Sequence, residues 1–499
     1  MKKKIYIGLV LAGLMPFAAN AQDQRDALRY SQLILGGTAR FTAMGGAFTA
    51  LGGDASVLAY NPAALGVFTK SQLTFSTGFS IFANNATYNG TSVNSMAPVL
   101  TIQNAAWIAS WRNSHDDAPW KVINFGIAYT RTNNFNQNIT IQGTSNNSTM
   151  LDQFTAYANG STPDQLDPYS SAQAYNAGGL IYYYGSSSNN TYGNIIRPFL
   201  TGNNTITQQS TIQRKGSMGE TDFSFAADYD NRLYLGGTLG IANINFNESA
   251  VYSETPNYND SVSGLTYWDY STALHTYGGG INLKFGLLYR IADWIRIGGA
   301  VHTPTWFTMT DNYSSLVTAN YNAVGSLPAG TYAGTLDGNP YANTYNYTLI
   351  TPFRAMGGLA FIIHHQGIIS ADYEFVDYST AQLSSADAGA FSVANAAIQQ
   401  YYMRASNFRV GAEWVVYPFS IRAGFQYYGD PYDANSGNSS VRTVFTGGLG
   451  IKLNRCFIDL AYVLTKYNEN YYMYDPSMVA PTALKNSASD FIMTLGVNF

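Results

Sequence analysis

Cysteine is almost absent from this chain, Cys456 being the only one in 499 residues. A single thiol excludes a disulfide framework, and its distance from the N-terminus excludes a lipid anchor on an N-terminal cysteine. Charge is scarce as well: 11% of residues are charged, 26 basic against 30 acidic, for a net charge of -4. With no basic tract to neutralise phosphates, a nucleic-acid partner is excluded. Histidine occupies five positions. His364-His365 has no nearby cysteine, His275 and His302 stand alone, and no H-E-x-x-H spacing occurs, so no metal or other cofactor is expected. Neither a Gly-x-Ser-x-Gly elbow nor a phosphate-binding loop is found in the strand-to-helix context it needs, and the chain is not expected to be an enzyme.

Long apolar runs are missing too. Lys2, Lys3 and Lys4 precede an apolar stretch from Ile5 to Phe17, and Ala19-Asn20-Ala21 follows. This reads as a secretory signal over residues 1–21, cleaved before Gln22. It is too short to span, and nothing later approaches the roughly 18 to 20 apolar residues of a membrane helix. A membrane protein without such a helix must be a closed β-barrel, because only helices and barrels satisfy every backbone polar group in lipid.

What the chain has in abundance is aromatic residues, at 15% with 39 tyrosines, and apolar residues at every second position. Phe491, Met493, Leu495, Val497 and Phe499 make one such row at the C-terminus. Similar rows recur after residue 70, among them Phe223-Phe225, Ile281 to Tyr289, Phe408 to Trp414 and Ile458 to Leu464. Period-two alternation makes a strand with one apolar face, and here that face is expected to meet lipid. Short turns at Asn113–Pro119, Asp228–Arg232, Arg290–Trp294, Ile363–Gly367, Val416–Ser420 and Lys452–Arg455 alternate with Asn/Ser/Thr/Gly/Tyr-rich segments. Barrels of this class have short periplasmic turns and longer outer loops. Six turns and seven loops predict an all-β fold, a 14-stranded antiparallel transmembrane β-barrel over residues 71–499 with both ends periplasmic. The longest loops are expected at about 137–210, 310–344 and 379–404. The opposite faces carry Asp222, Asp228, Lys284, Arg296, Arg354, Asp372, Glu374, Arg409, Glu413, Arg422, Lys452 and Asp459. An Arg or Lys facing lipid near the midplane costs roughly 2 to 4 kcal/mol, so these charges are expected in the lumen, either as a pairing ladder or as substrate contacts.

Residues 22–70 do not alternate. They are dense in Gly and Ala with a few large apolar residues between, which suits a compact element with close backbone packing and no core of its own. It needs an enclosing wall, and an N-terminal hatch plugging the barrel fits it. Gly45-Gly46-Ala47-Phe48, Gly53-Asp54-Ala55-Ser56 and Tyr60-Asn61-Pro62-Ala63-Ala64-Leu65, followed at once by the first strand, resemble the FadL/TodX family of outer-membrane transporters for hydrophobic compounds. The terminal Phe499 likewise resembles the closing strand by which the outer-membrane barrel-assembly machinery receives its substrates.

The resemblance implies passive uptake of hydrophobic small molecules, long-chain fatty acids or aromatic hydrocarbons, by a monomer in a Gram-negative outer membrane. It implies capture in an extracellular apolar groove, hatch-gated passage, and lateral release into outer-membrane lipid through a kink in the third strand. The kink is expected at Thr132, Asn133, Asn134 and Phe135, a stretch that reads equally as the strand's polar exit into loop two. Hatch residues expected to meet ligand or kink are Phe41, Met44, Phe48, Leu58, Tyr60, Asn61, Pro62 and Ala63. Asn61 is expected to bond the broken strand, or the Asn-Pro-Ala triplet merely shapes the turn into the first strand. Head-group contacts are expected from Arg131, Arg214, Lys215 and Arg404. Two other readings stand beside this one: a haem-binding outer-membrane receptor, and a structural or adhesive barrel acting through its loops.

Overall fold

In a computed structural model of the chain, the described residues are 23–499 except 35, 115–117, 184–189, 259–261, 325–327, 336–337 and 365. The signal peptide expected at 1–21 and His365 therefore lie outside them. Fourteen antiparallel strands close on themselves. They are β1 (Gln72–Tyr88), β2 (Thr91–Arg112), β3 (Trp120–Asn134, resumed as Gln137–Ser145), β4 (Ile206–Tyr229), β5 (Leu233–Pro256), β6 (Leu265–Ala292) and β7 (Ile295–His302, resumed as Trp306–Tyr321). The remainder are β8 (Tyr341–Ile350, resumed as Arg354–Ile363), β9 (Gly367–Asp377), β10 (Arg404–Val416), β11 (Phe419–Tyr428), β12 (Arg442–Leu453), β13 (Cys456–Tyr471) and β14 (Thr482–Asn498). The ladder between β14 and β1 runs from Gln72↔Asn498 to Thr87↔Ala483, which removes the sheet edge.

Alternation decides the two faces. Phe223, Ile281, Phe285, Leu359, Phe408, Leu449, Leu460 and Phe491 are exposed on the outside, while Asp222, Lys284, Arg354, Glu374, Arg409, Glu413, Arg422 and Asp459 are buried within. Most of the inward charges pair. Lys284 bonds Glu220 and Asp222, Glu374 lies between Arg354 and Arg409, and Arg422 joins Glu413 (2.6 Å) to Asp459 (2.5 Å). Lys452 departs from the expectation: it sits beside the turn at Asn454 and is exposed.

The short turns lie where the sequence places them, but the other end differs in extent. Residues 137–145 and 206–210 stay in the ladder, so the second long connection is 146–205. The fourth is 322–340, because β7 runs to Tyr321 and β8 starts at Tyr341. The first is no loop at all. Asn89 (φ 44°) and Gly90 (φ 84°) form a two-residue hairpin turn, the left-handed pair that matches strand twist.

The lumen is filled from residue 23 onward. Helix α1 (Gln24–Ser31), capped by Asp23, and helix α2 (Ala39–Ala43), capped by Thr38, are followed by single helical turns at Ala55–Ala59 and Pro62–Val67. Gly45 and Gly46 are both left-handed (φ 60° and 64°), a pair that residues with a Cβ rarely adopt, and they reverse the chain after α2. Phe41, Met44, Phe48, Leu58, Tyr60 and Leu65 form the hatch's core against the wall residues Ile108, Ala226, Tyr234 and Leu288. Neither partner has a complete apolar core alone.

Candidate functional site

Among the described strands, the longest loss of ladder pairing in the wall is one seam between β2 and β3. Pairing between β2 and β3 ends at Asn104↔Thr130. Above it, β2 residues 91–102 keep ladder partners on β1 alone. The local sequence explains the divergence. Asn133 Oδ1 accepts from the Asn134 amide (2.8 Å) and Asn134 Oδ1 from the Asn136 amide (3.2 Å), so side chains take backbone donors that the ladder would use. Register slips between Arg131 and Asn133, and β3 breaks at Phe135-Asn136 opposite Lys215-Gly216 of β4, where Gly216 has φ +116°. Side chains bridge the seam instead. Arg131 Nε donates to the Ile102 carbonyl (3.0 Å), Asn138 Nδ2 to the Met96 carbonyl (2.9 Å), and the Thr140 amide to Ser95 Oγ (3.1 Å). Outside, the seam is flanked by Met96, Leu100 and Ile102, of which Leu100 is 78% exposed.

On the lumen side the hatch covers the seam. The Ile34 amide donates to the Thr132 carbonyl (2.8 Å) and Asn133 Nδ2 to the Gln32 carbonyl (3.1 Å). A Cβ on Gly36 would lie 2.1 Å from the Arg131 carbonyl oxygen, so only glycine permits this approach. Above the hatch lies a cavity of about 790 Å³, bounded by α1, by Phe82, Gln103 and Arg131 at the seam, and by Asn438 and Pro476 at the loop end. Phe135 points inward and meets Tyr30 (5.9 Å) and Phe246 (5.4 Å) edge-on, while the Arg29 guanidinium lies 4.3 Å from the Phe246 ring centroid.

The residues singled out in the sequence divide into three groups. Arg131, Asn133, Asn134 and Phe135 line both seam and cavity, with Thr132 buried beside them. Arg214 lines the cavity but is held by Glu248 (2.6 Å). Lys215 and Arg404 are exposed on the outside, where they cannot meet a lumenal head group. Phe41, Met44, Phe48, Leu58, Tyr60, Pro62 and Ala63 are buried in the hatch below the cavity, with Phe41 stacked on Tyr60 at 5.0 Å. Asn61 does not bond the third strand: its Nδ2 donates to Thr49 O (2.5 Å) and Leu287 O (3.4 Å), and its Oδ1 caps the Ala63 amide (3.1 Å). The hatch residues that do face the cavity, including Arg25, Leu28, Arg29 and Gln32, belong mostly to α1 and its exit, with Thr42 of α2. The available signal was Asp23 ahead of an eight-residue amphipathic segment, a helix start.

No protein-family model and no curated protein matches the chain by sequence. Solved structures do match in shape. A Pseudomonas aeruginosa FadL homologue superposes with a TM-score of 0.53 at 11% identity, over 94% of this chain and 100% of its own. The P. putida toluene transporter TodX gives 0.53 at 12%, over 93% and 99%. This chain has the FadL/TodX fold. At such identity the likeness is one of architecture: fourteen strands, a filled lumen and short turns at one end.

Within this FadL/TodX fold, glycines in the wall set how close the hatch sits, and sequence reasoning passed over them. A Cβ at Gly286 would lie 1.9 Å from Asn61 Oδ1, at Gly236 2.4 Å from the Pro62 carbonyl carbon, at Gly298 2.1 Å from the Thr49 oxygen and at Gly411 2.1 Å from the Met44 oxygen. A glycine inside a strand pattern marks such an approach. Polar bonds complete the seating. Arg40 grips Glu413 with two bonds (3.1 and 2.7 Å), Thr49 donates twice to Asp372 (2.9 and 2.7 Å), and His302 Nε2 lies 2.7 Å from the Tyr60 carbonyl.

At the loop end, the described part of connection 146–205 folds over the mouth. Helix α3 (Met150–Ala158) packs Leu151 and Phe154 against wall residues including Tyr252, Trp268 and Val317. Its start is fixed by Glu254, fully buried, which accepts from the Thr149 hydroxyl, the Met150 amide (3.0 Å), Gln208 (3.0 Å), Tyr252 (2.5 Å) and Trp268 Nε1 (2.9 Å). Glu254→Leu leaves these donors unpaired at about 1 to 3 kcal/mol each before relaxation. The expected result is rapid proteolytic cleavage within 146–205 while the barrel stays protease-resistant; equal cleavage of variant and wild type would contradict it.

Proposed function

We propose that the protein admits hydrophobic small molecules passively across the outer membrane of a Gram-negative bacterium, with its short turns and both barrel ends in the periplasm. The observation that carries this reading is the seam: a stretch of wall without a ladder, apolar outside, opening inward on a cavity floored by the hatch. Hydrophobic small-molecule cargo enters at the loop end, rests above α1, and leaves sideways between β2 and β3 into lipid. At about 0.8 kcal/mol per buried methylene, release into the bilayer is favourable without an energy source. An axial exit would instead put the apolar cargo into the aqueous periplasm. The hatch gates the route because Gln32, Ile34 and Gly36 occupy the inner edge of the seam. The fold is shared with a toluene transporter, which supports a hydrophobic cargo. The same reading makes the protein a monomer, delivered by the barrel-assembly machinery through β14.

Entry of N-phenyl-1-naphthylamine into intact cells tests it. The dye is excluded by an intact outer membrane and fluoresces in lipid. Expression of the protein is expected to raise its entry rate with no rise in ion conductance in planar bilayers. A conductance increase in step with dye entry would point to an ordinary water-filled pore and overturn the reading.

A further inference from the structure

The cavity's charges narrow the cargo of this route. Its described lining holds five arginines and five carboxylates, and the arginines best placed to clamp an anion are already engaged. Arg214 is bound to Glu248 (2.6 Å) and to Gln137 Oε1 (3.2 Å). Arg29 is bound to Asp26, and Arg25 stands 3.6 Å from Asp23. Arg442 has its guanidinium 4.2 Å from the Tyr467 ring centroid and donates to Gln32 (3.3 Å), in a cavity that also presents Glu469. Tyr432, Tyr467 and Tyr471 add rings with hydroxyl groups. Phe82, Phe135 and Phe246 supply an apolar side toward the seam.

Such a lining suits neither extreme of the cargo class. A bare hydrocarbon strips water from ionic groups without replacing their hydrogen bonds. Arg131 and Arg442 bond neutral partners, the Ile102 carbonyl and Gln32, but the lining as a whole balances five arginines with five carboxylates, so a carboxylate head adds a net negative charge to it. We infer that the cargo is an amphiphile with a net-neutral, hydrogen-bonding head, either hydroxylated or zwitterionic, held among the paired charges and tyrosines while its apolar tail lies along Phe82 and Phe135 toward the seam. This rests on the uptake reading and specifies its cargo.

The test compares three probes with the same dodecyl chain and different heads, glucoside, phosphocholine and carboxylate, binding to the full-length protein in nanodiscs. At least one neutral-headed probe is expected to bind about tenfold more tightly than the carboxylate, the cost of one uncompensated charge. The two neutral arms distinguish a hydroxylated from a zwitterionic head. Glu248→Gln keeps the side chain's shape and frees Arg214, so it is expected to improve carboxylate binding about tenfold and to shift the preference away from the neutral probes. Carboxylate binding as tight as the neutral probes in the wild type would overturn the inference and leave the uptake reading standing. So would an unchanged preference in a folded Glu248→Gln protein. No binding of any of the three would overturn both.

Discussion

Replacing Gly286 with leucine is expected to unseat the hatch and turn a closed barrel into a conducting one. The side chain would occupy the space of the Asn61 carboxamide, whose Oδ1 lies 1.9 Å from the Cβ position, with the Ala63 amide at 2.9 Å. Neither neighbour can yield cheaply. Asn61 holds Thr49 O and caps the turn at Pro62–Val67, and the β5 wall at Gly236 meets the same turn from beside it. Overpacking of a filled core costs typically about 1 to 3 kcal/mol. Here the barrel ladder does not depend on the hatch, so the strain is released by displacing the turn. Planar-bilayer conductance checks this directly. Gly357→Leu is the control: its Cβ meets nothing within 4 Å, and it should leave the baseline unchanged. A closed Gly286→Leu protein would mean that the hatch is not the seal.

The second large effect is expected at Arg40. It joins α2 to the wall through the two bonds to Glu413 and donates to Gly53 O (2.9 Å), and Glu413 in turn shares Arg422 with Asp459. Arg40→Met leaves two buried carboxylates facing one arginine. Breaking a buried pair from one side costs about 3 to 5 kcal/mol, because the remaining charge is uncompensated. The hatch amides between residues 38 and 66 should then exchange with solvent deuterium far faster, while the β-ladder stays protected. Adding Glu413→Gln removes the orphaned charge and should restore protection by a coupling of about 1 to 3 kcal/mol. Equal exchange in the single and double variants would show that Arg40 acts by packing over Phe48 (5.3 Å) rather than by charge.

The strands were legible because a wall between lipid and a filled lumen writes itself as period two. Ile281, Leu283, Phe285 and Leu287 face out, and Asn282 and Lys284 face in. Where the strands continue beyond lipid the outward apolar row stops: the outer face turns polar, and the few apolar side chains there, Ile139, Ile141 and Ile206, point inward. Residues 137–145 and 206–210 therefore read as loop although their ladder is regular. The same parity could have placed the proposed head-group residues. Arg214 and Lys215 are consecutive in one strand, so only one can point inward. Counting back from the inward Arg409 puts Arg404 outside. The hatch was legible from its glycines and alanines, but its orientation was not. That depends on which wall glycine meets which hatch atom, and a glycine in a strand carries no parity in hydropathy. For the same reason, the large apolar hatch residues looked like ligand contacts when they are the packing between hatch and wall. The seam's asparagines stood out in the sequence; that β2 loses its partner there is a property of two strands together.

Passage of cargo through that seam is the central claim, and pinning the seam shut tests it. With Cys456→Ser as background, Ser95→Cys and Thr140→Cys place thiols at positions already in contact across it. A short bis-methanethiosulfonate linker would join β2 to β3 without touching the hatch. The account predicts that N-phenyl-1-naphthylamine entry falls to the rate of cells lacking the protein and recovers when the linker is reduced. Undiminished entry through the fully cross-linked protein would place the exit elsewhere and contradict the account.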